Sequence, residues 1–274
     1  MNLKIRKKNK ILSRQLKQVN NQEQKLLTKN SHSIFKSKIA PFTNVLQKKI
    51  PGKLRDTLEL AFYTGFKLVF AKGNAYIEKT YNKDKILLEH DLNNYAIDKY
   101  PSKKYIKRMD RQSQRFKAIN SSIAVLEGGV LGILGIGLPD IPLFISVILR
   151  TINEIALNYG YSYDTEEEKN YILTLICGAL TSGQQQKEFD AIVDRLGNQM
   201  DSNIVVGYNL EEKMKETAKV LSDTLLIAKF VQGFPVVGVI GGVVNHTIIR
   251  KIGKYATIKY KKRYLLSKVE KNDF

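Results

Sequence analysis

The chain is short of acid, of cysteine and of every familiar catalytic signature. Its 274 residues hold 26 Asp and Glu against 45 Lys and Arg, a formal net charge of +19. That balance points to anionic partners: acidic lipid, nucleic acid or acidic protein. A single cysteine, Cys177, excludes an internal disulfide. In its apolar helical context it reads as a small buried hydrophobe in a reducing compartment. No H-E-x-x-H, G-x-S-x-G, P-loop or Cys/His cluster occurs, and no helix-turn-helix, OB or RRM signature marks a nucleic-acid module. Behind the basic N-terminus, Ile11 and Leu12 are followed at once by Ser-Arg-Gln, so no secretory signal is expected. Strand-like alternation is missing throughout. These absences leave an all-α, cytoplasmic, basic protein that is not expected to be an enzyme.

The charge is unevenly placed. Residues 1–50 hold thirteen Lys and Arg against Glu23 alone. They read as a basic arm, partly disordered or helical, ahead of a helical domain over 51–274. Pro41 and Pro51-Gly52 punctuate its end. Such an arm is suited to an anionic bilayer, at about 1 kcal/mol per cation near the surface; a solvated tail is the plainer reading. The second concentration is Arg250, Lys251, Lys254, Lys259, Lys261, Lys262 and Arg263, seven cations in fourteen positions without an acid. Tyr255, Tyr260 and Tyr264 are interleaved at helical spacing. A cationic, aromatic-bearing helix beside an apolar run suits a headgroup layer, so these seven are the expected lipid contacts. The alternative is a solvated basic helix.

Between these poles the pattern is helical. Apolar residues at 54, 58, 61, 62, 66 and 69 form a stripe; further helices are expected over 83–100, from 103 through 124, and over 210–229. Residues 184–209 read as a shorter helix and a polar loop. Pro142 is tolerated in the first turn of a helix capped by Asp140, which should run to Asn158 and stop at Gly160. Thr165 with Glu168 three residues later is a capping box opening a helix to about Thr181.

Two glycine-rich apolar runs stand out: 126–150, LEGGVLGILGIGLPDIPLFISVILR, and 230–249, FVQGFPVVGVIGGVVNHTII. Small residues in apolar helices let backbones approach closely. The expectation is two glycine-rich apolar hairpins, packed through Gly128, Gly129, Gly132, Gly135, Gly238, Gly241 and Gly242. Three arrangements fit them: a monotopic or re-entrant hairpin with Asp140 at its turn, a soluble helical core, or one true span at 230–249. The polar residues of these blocks are Glu127, Asp140, Arg150, Glu154, Asn245 and His246. In an apolar setting they should be paired or exposed, and Arg150 and Glu154 can meet at i,i+4. A hydrolase or metal site built from Glu127, Asp140, Glu154 and His246 is an alternative, although pairing explains the same residues without chemistry. No catalytic residue, metal or cofactor is assigned.

The pattern E-G-G-x-x-G-x-x-G-x-G-L-P-D-I-P, then Arg150, then E-I-A-x-x-Y-G-Y at 154–161, resembles the bacterial EcsC family. The likeness continues through F-P-x-x-G-x-x-G-G-x-x-N at 234–245 and the basic Tyr-rich tail, covering about 54 to 268 and leaving the arm outside. The resemblance implies a membrane-associated or cytoplasmic protein without an established activity. The family is named for a gene beside those of an ABC exporter, so an ABC transporter is the partner it implies. Together these readings predict a non-enzymatic protein that is peripheral or monotopic on the inner face of the cell membrane. A nucleic-acid-binding helical protein is the alternative that charge alone would allow.

Overall fold

The computed structural model describes residues 2–29, 51–100, 102–133, 141–204, 207–231 and 239–270, and these contain helices and turns without a strand. The elements are α1 (Asn2–Lys29), α2 (Gly52–Leu68), a π-helical turn (Val69–Gly73), α3 (Asn74–Glu78), α4 (Lys83–Lys99) and α5 (Lys103–Ile133). They continue with α6 (Ile141–Asn158), α7 (Glu166–Leu180), α8 (Gln184–Asp201), α9 (Leu210–Val231) and α10 (Val239–Glu270). The all-α bundle expected from the periodicity is what forms.

The long helix α10 is the spine. It packs on α1, α5, α6, α7, α8 and α9. Its partner α5 runs antiparallel to it: Lys261 meets Asp110 at one level, and Lys117 crosses Gly253 about two turns further along. The helix α1 runs alongside in the same direction as α5, its Gln15 reaching Lys261 and its Glu23 reaching Lys259. Within the expected basic arm of 1–50, residues 2–29 are thus helical and packed: Leu12, Val19 and Leu27 form a buried stripe that docks α1 on α10, while 30–50 lie outside the described residues.

Helix α6 is the most apolar of the described helices and the one among them both long and apolar enough to cross a membrane. Of its residues, 78% are buried inside the protein. A helix that is apolar all round must be covered by lipid or by protein, and here protein covers it: α2, α4, α5 and α10 pack around it, with Phe144 edge-on to Phe62 of α2 at 6.4 Å. The C-terminal arm of the first expected hairpin is thus a core helix.

Two local signals behave as the sequence predicts, one only in part. The α6 helix ends at Gly160, whose φ of +83° belongs to the left-handed region, and the amide of Tyr161 closes the turn on the Ala156 carbonyl. The hydroxyl of Thr165 accepts from the Glu168 amide at 3.2 Å. The Glu168 carboxylate does not complete the box. It turns into the core, where Arg263 and Tyr260 donate to it.

Gly160 also faces the His90 imidazole, which would overlap any Cβ built there. Gly160→Ala should therefore lower stability by about 2 kcal/mol or more, from the left-handed backbone and the displaced ring together. Urea unfolding measures this; an unchanged midpoint would show that the turn relaxes freely.

Candidate functional site

Seven cations in fourteen positions need either water or acids. Along α10 the structure supplies acids to the C-terminal four. The Lys259 ammonium is 1% exposed and lies 2.5 Å from Glu23, 2.6 Å from Asp190 and 2.8 Å from Asp194. Lys262 shares two of these carboxylates, at 2.7 Å from Glu23 and 2.6 Å from Asp194. Lys261 reaches Asp110 at 2.8 Å. Arg263 sends Nη1 to Glu168 at 2.7 Å and grips Asp201 through both Nη2 (2.7 Å) and Nε (3.1 Å). Its guanidinium plane lies over the rings of Tyr161 and Tyr171, at 4.1 and 4.6 Å. Bidentate pairing plus stacking is what a planar guanidinium does and an ammonium cannot.

The acids come from α1, α5, α7 and α8, so this ladder ties four helices to the spine. Burial works against the Lys262 ammonium, but hydrogen bonds from it to Asp194 and Glu23 outweigh the burial and raise its pKa. Burial raises the Glu168 carboxyl, opposed by Arg263. The tyrosines are internal too: Tyr255 donates to Asp190 at 2.6 Å, Tyr260 to Glu168 at 3.1 Å and Tyr264 to Asn94 at 3.0 Å. Lys259, Lys261, Lys262 and Arg263 are therefore not the lipid contacts the sequence predicts; they are matched inside the fold. The reason is plain: a charge run shows its cations but not the carboxylates that tertiary folding brings to them.

Glu23, Asp190 and Asp194 also place three carboxylate oxygens within 4.8 Å of one another, a spacing a metal ion could use. The ammonium groups of Lys259 and Lys262 already sit against them, so the cluster is charge-compensated by the chain itself.

Arg250, Lys251 and Lys254 differ. They are exposed, and Lys251 and Lys254 line a cleft of about 480 Å³ between α1, α5 and α10. Lys25 and Gln22 border it from α1, Lys117 and Gln114 from α5. Lys117 is 6% exposed. Its stem crosses the backbone of α10 at Gly253, where a Cβ would come within 2.6 Å of Cγ. Burial, reinforced by Lys254, lowers its pKa to about 8.

The remaining polar candidates divide. Arg150 and Glu154 meet at 3.7 Å, as their i,i+4 spacing allows. The Asn120 amide donates to the same carboxylate at 2.5 Å. Burial raises the Glu154 pKa, with Asn120 and Arg150 opposing. The Arg150 guanidinium lies over the Tyr81 ring at 5.9 Å. Asn245 is buried on α10 and His246 half-buried beside it. Asp140, Gly135 and Gly238 lie outside the described residues. Glu127, Gly128, Gly129, Gly132, Gly241 and Gly242 fall on α5 and α10, with their surroundings likewise outside the described residues.

Residues 13–265 match the EcsC protein family. The chain belongs to the EcsC family. The match begins within α1, earlier than the 54–268 span the motifs delimit, in keeping with α1 being packed on the spine. Among curated proteins, an uncharacterized protein, YdbA, of Bacillus subtilis (strain 168) is 26% identical over 177 residues, 60% of this chain and 61% of that relative. The aligned stretch thus spans less than two thirds of the relative's length. No solved structure matches.

The carboxylate partners escaped the sequence reading, though one signal was present. Glu23 is the lone acid of the first fifty residues and falls on the stripe of Leu12, Val19 and Leu27, where an unpaired charge would be costly. Lys259→Met should leave Glu23, Asp190 and Asp194 crowded without their shared cation, costing about 3–5 kcal/mol. Chemical denaturation reads this directly; a loss below about 1 kcal/mol would mean the three acids find water instead.

Proposed function

We propose that this protein is a non-enzymatic, membrane-surface helical protein that meets anionic lipid at one end of the α5/α10 pair. The observation that carries the reading is a coincidence of polarity at that end. Because α5 and α10 run antiparallel, residues 121–133 and 249–239 extend in the same direction beyond the level of Lys117 and Gly253. At 1.5 Å per residue those segments are roughly 20 and 15 Å long, comparable with one leaflet of a hydrocarbon core about 30 Å thick. Residues 239–249 carry no Asp, Glu, Lys or Arg, and 121–133 carry Glu127 alone. Arg250, Lys251 and Lys254 stand at the base of this end, exposed. Apolar helix ends above a cationic collar match the layering of acyl chain and phosphate at an interface.

The outward faces of the two flanking helices add to this. Arg6, Lys7, Lys10, Arg14 and Lys17 of α1 are exposed, as are Lys103, Lys104, Lys107, Arg108, Arg111 and Arg115 of α5. The acids among the described side chains of these helices are drawn inward, Glu23 to Lys259 and Asp110 to Lys261. At that surface we infer support or regulation of a membrane process. The gene context that names the family points to an ABC transporter as the partner. Attachment by this route is peripheral or monotopic from the cytoplasmic side.

The purified chain should sediment with vesicles containing anionic lipid and not with purely zwitterionic ones, with binding that weakens as salt rises. Neutralising Arg115 and Arg250 together with glutamine should weaken binding by about 2 kcal/mol, roughly thirtyfold. Absence from anionic vesicles at low salt would end this reading and favour a soluble role.

A further inference from the structure

We infer that the cleft between α1, α5 and α10 is a binding site for a phosphate-bearing ligand, with Lys117 as its buried anchor. A lysine this deeply buried normally has a carboxylate or several acceptors around it, as Lys259 does. Lys117 has neither an ion-pair nor a hydrogen-bond partner among the described residues. Asp110, the carboxylate that opposes the burial of its charge, is held by Lys261 at 2.8 Å. Three more lysines, Lys25, Lys251 and Lys254, line the cleft, and no acid among the described residues does. Gln22 and Gln114 add amide donors at its rim.

Lys254 and Arg250 repel the ammonium at the end of this buried stem, and a bound dianion removes that cost. The arrangement also has a place made for it. Gly253 is the gap in the surface of α10 through which the Lys117 stem passes. The volume, about 480 Å³, falls in the range of small-molecule sites. Leu26, Ile258 and Ala179 give the cleft apolar walls, so the ligand class is a phosphomonoester on a larger, partly apolar group. A lipid headgroup and a free phosphorylated metabolite share that chemistry. The site deepens the surface reading if its ligand is lipid, and stands apart from it if the ligand is free.

The test uses the full chain and three probes: inorganic phosphate, glycerol 3-phosphate, and vesicles carrying phosphatidic acid or phosphatidylglycerol at equal surface charge. The variants are Lys117→Met, which removes the charge at nearly constant shape, and the exposed pair Lys251→Gln with Lys254→Gln. Phosphate or glycerol 3-phosphate should bind saturably, raising the thermal midpoint beyond a chloride control of matched ionic strength. Lys117→Met should weaken that binding about tenfold or more, and the exposed pair should weaken it as well. A lipid source gives instead a preference for phosphatidic acid over phosphatidylglycerol vesicles that Lys117→Met abolishes. Equal behaviour of wild type and Lys117→Met with every probe overturns the inference. Should both variants bind phosphate and glycerol 3-phosphate as wild type does, keep its choice between the two lipids, and still sediment with anionic vesicles, the site fails while the surface reading survives. Soluble phosphate binding through Lys117 without any vesicle binding upholds the site and removes the surface reading.

Discussion

The buried Lys259 ammonium constrains the whole arrangement. Taking a cation out of water costs several kcal/mol even after relaxation, so the fold is tenable only if acids converge on it. They come from positions far apart in sequence: Glu23 on α1, Asp190 and Asp194 on α8. Lys261, Lys262 and Arg263 repeat the demand within the next turn of α10: Lys261 draws on Asp110 of α5, Lys262 on Glu23 and Asp194 again, and Arg263 on Glu168 of α7 and Asp201 of α8. Apolar packing would tolerate a slip of one helix along another. A ladder of ion pairs does not, because each slip strands a charge. We read the ladder chiefly as what fixes the register of α1, α5, α7 and α8 on the spine, more than as a source of net stability.

That internal matching also changes what the large positive charge means. The C-terminal run, viewed as sequence, has the composition of a membrane-surface helix, yet most of its cations are used up inside. Exposed cations are dense on α1, on the first half of α5 and at Arg250, Lys251 and Lys254. Because Glu23 and Asp110 are drawn to lysines of the spine, the exposed charged side chains among the described residues of α1 and α5 are cations. Core and surface are therefore coupled: the acids that neutralise the spine are the same ones withheld from the outer face.

The sequence made the secondary structure legible where the signal is local. The stripe at 58, 62 and 66, the stop at Gly160 and the Thr165 cap each depend on residues within one or two turns, and each is present in the fold. The i,i+4 meeting of Arg150 and Glu154 is legible for the same reason. What sequence could not reveal is the partner of a buried charge. Lys259 and Lys254 look alike in the chain; one is enclosed by three carboxylates from two other helices and the other faces solvent. The family motifs likewise mark the glycine-rich blocks and leave out α1, whose contribution rests on a sparse stripe and one acid. Lys117 carried no signal at all, since its setting depends on a glycine 136 positions away.

Lysine footprinting by mass spectrometry, in water and without lipid, tests the central claim most directly. An amine-reactive acetylating reagent applied to the folded chain should modify Lys251 and Lys254 rapidly. Lys259 and Lys261 should stay unmodified until denaturant unfolds the protein. Uniform modification across all four under native conditions would contradict the buried ladder, and with it the claim that the basic C-terminal helix is the spine of the core.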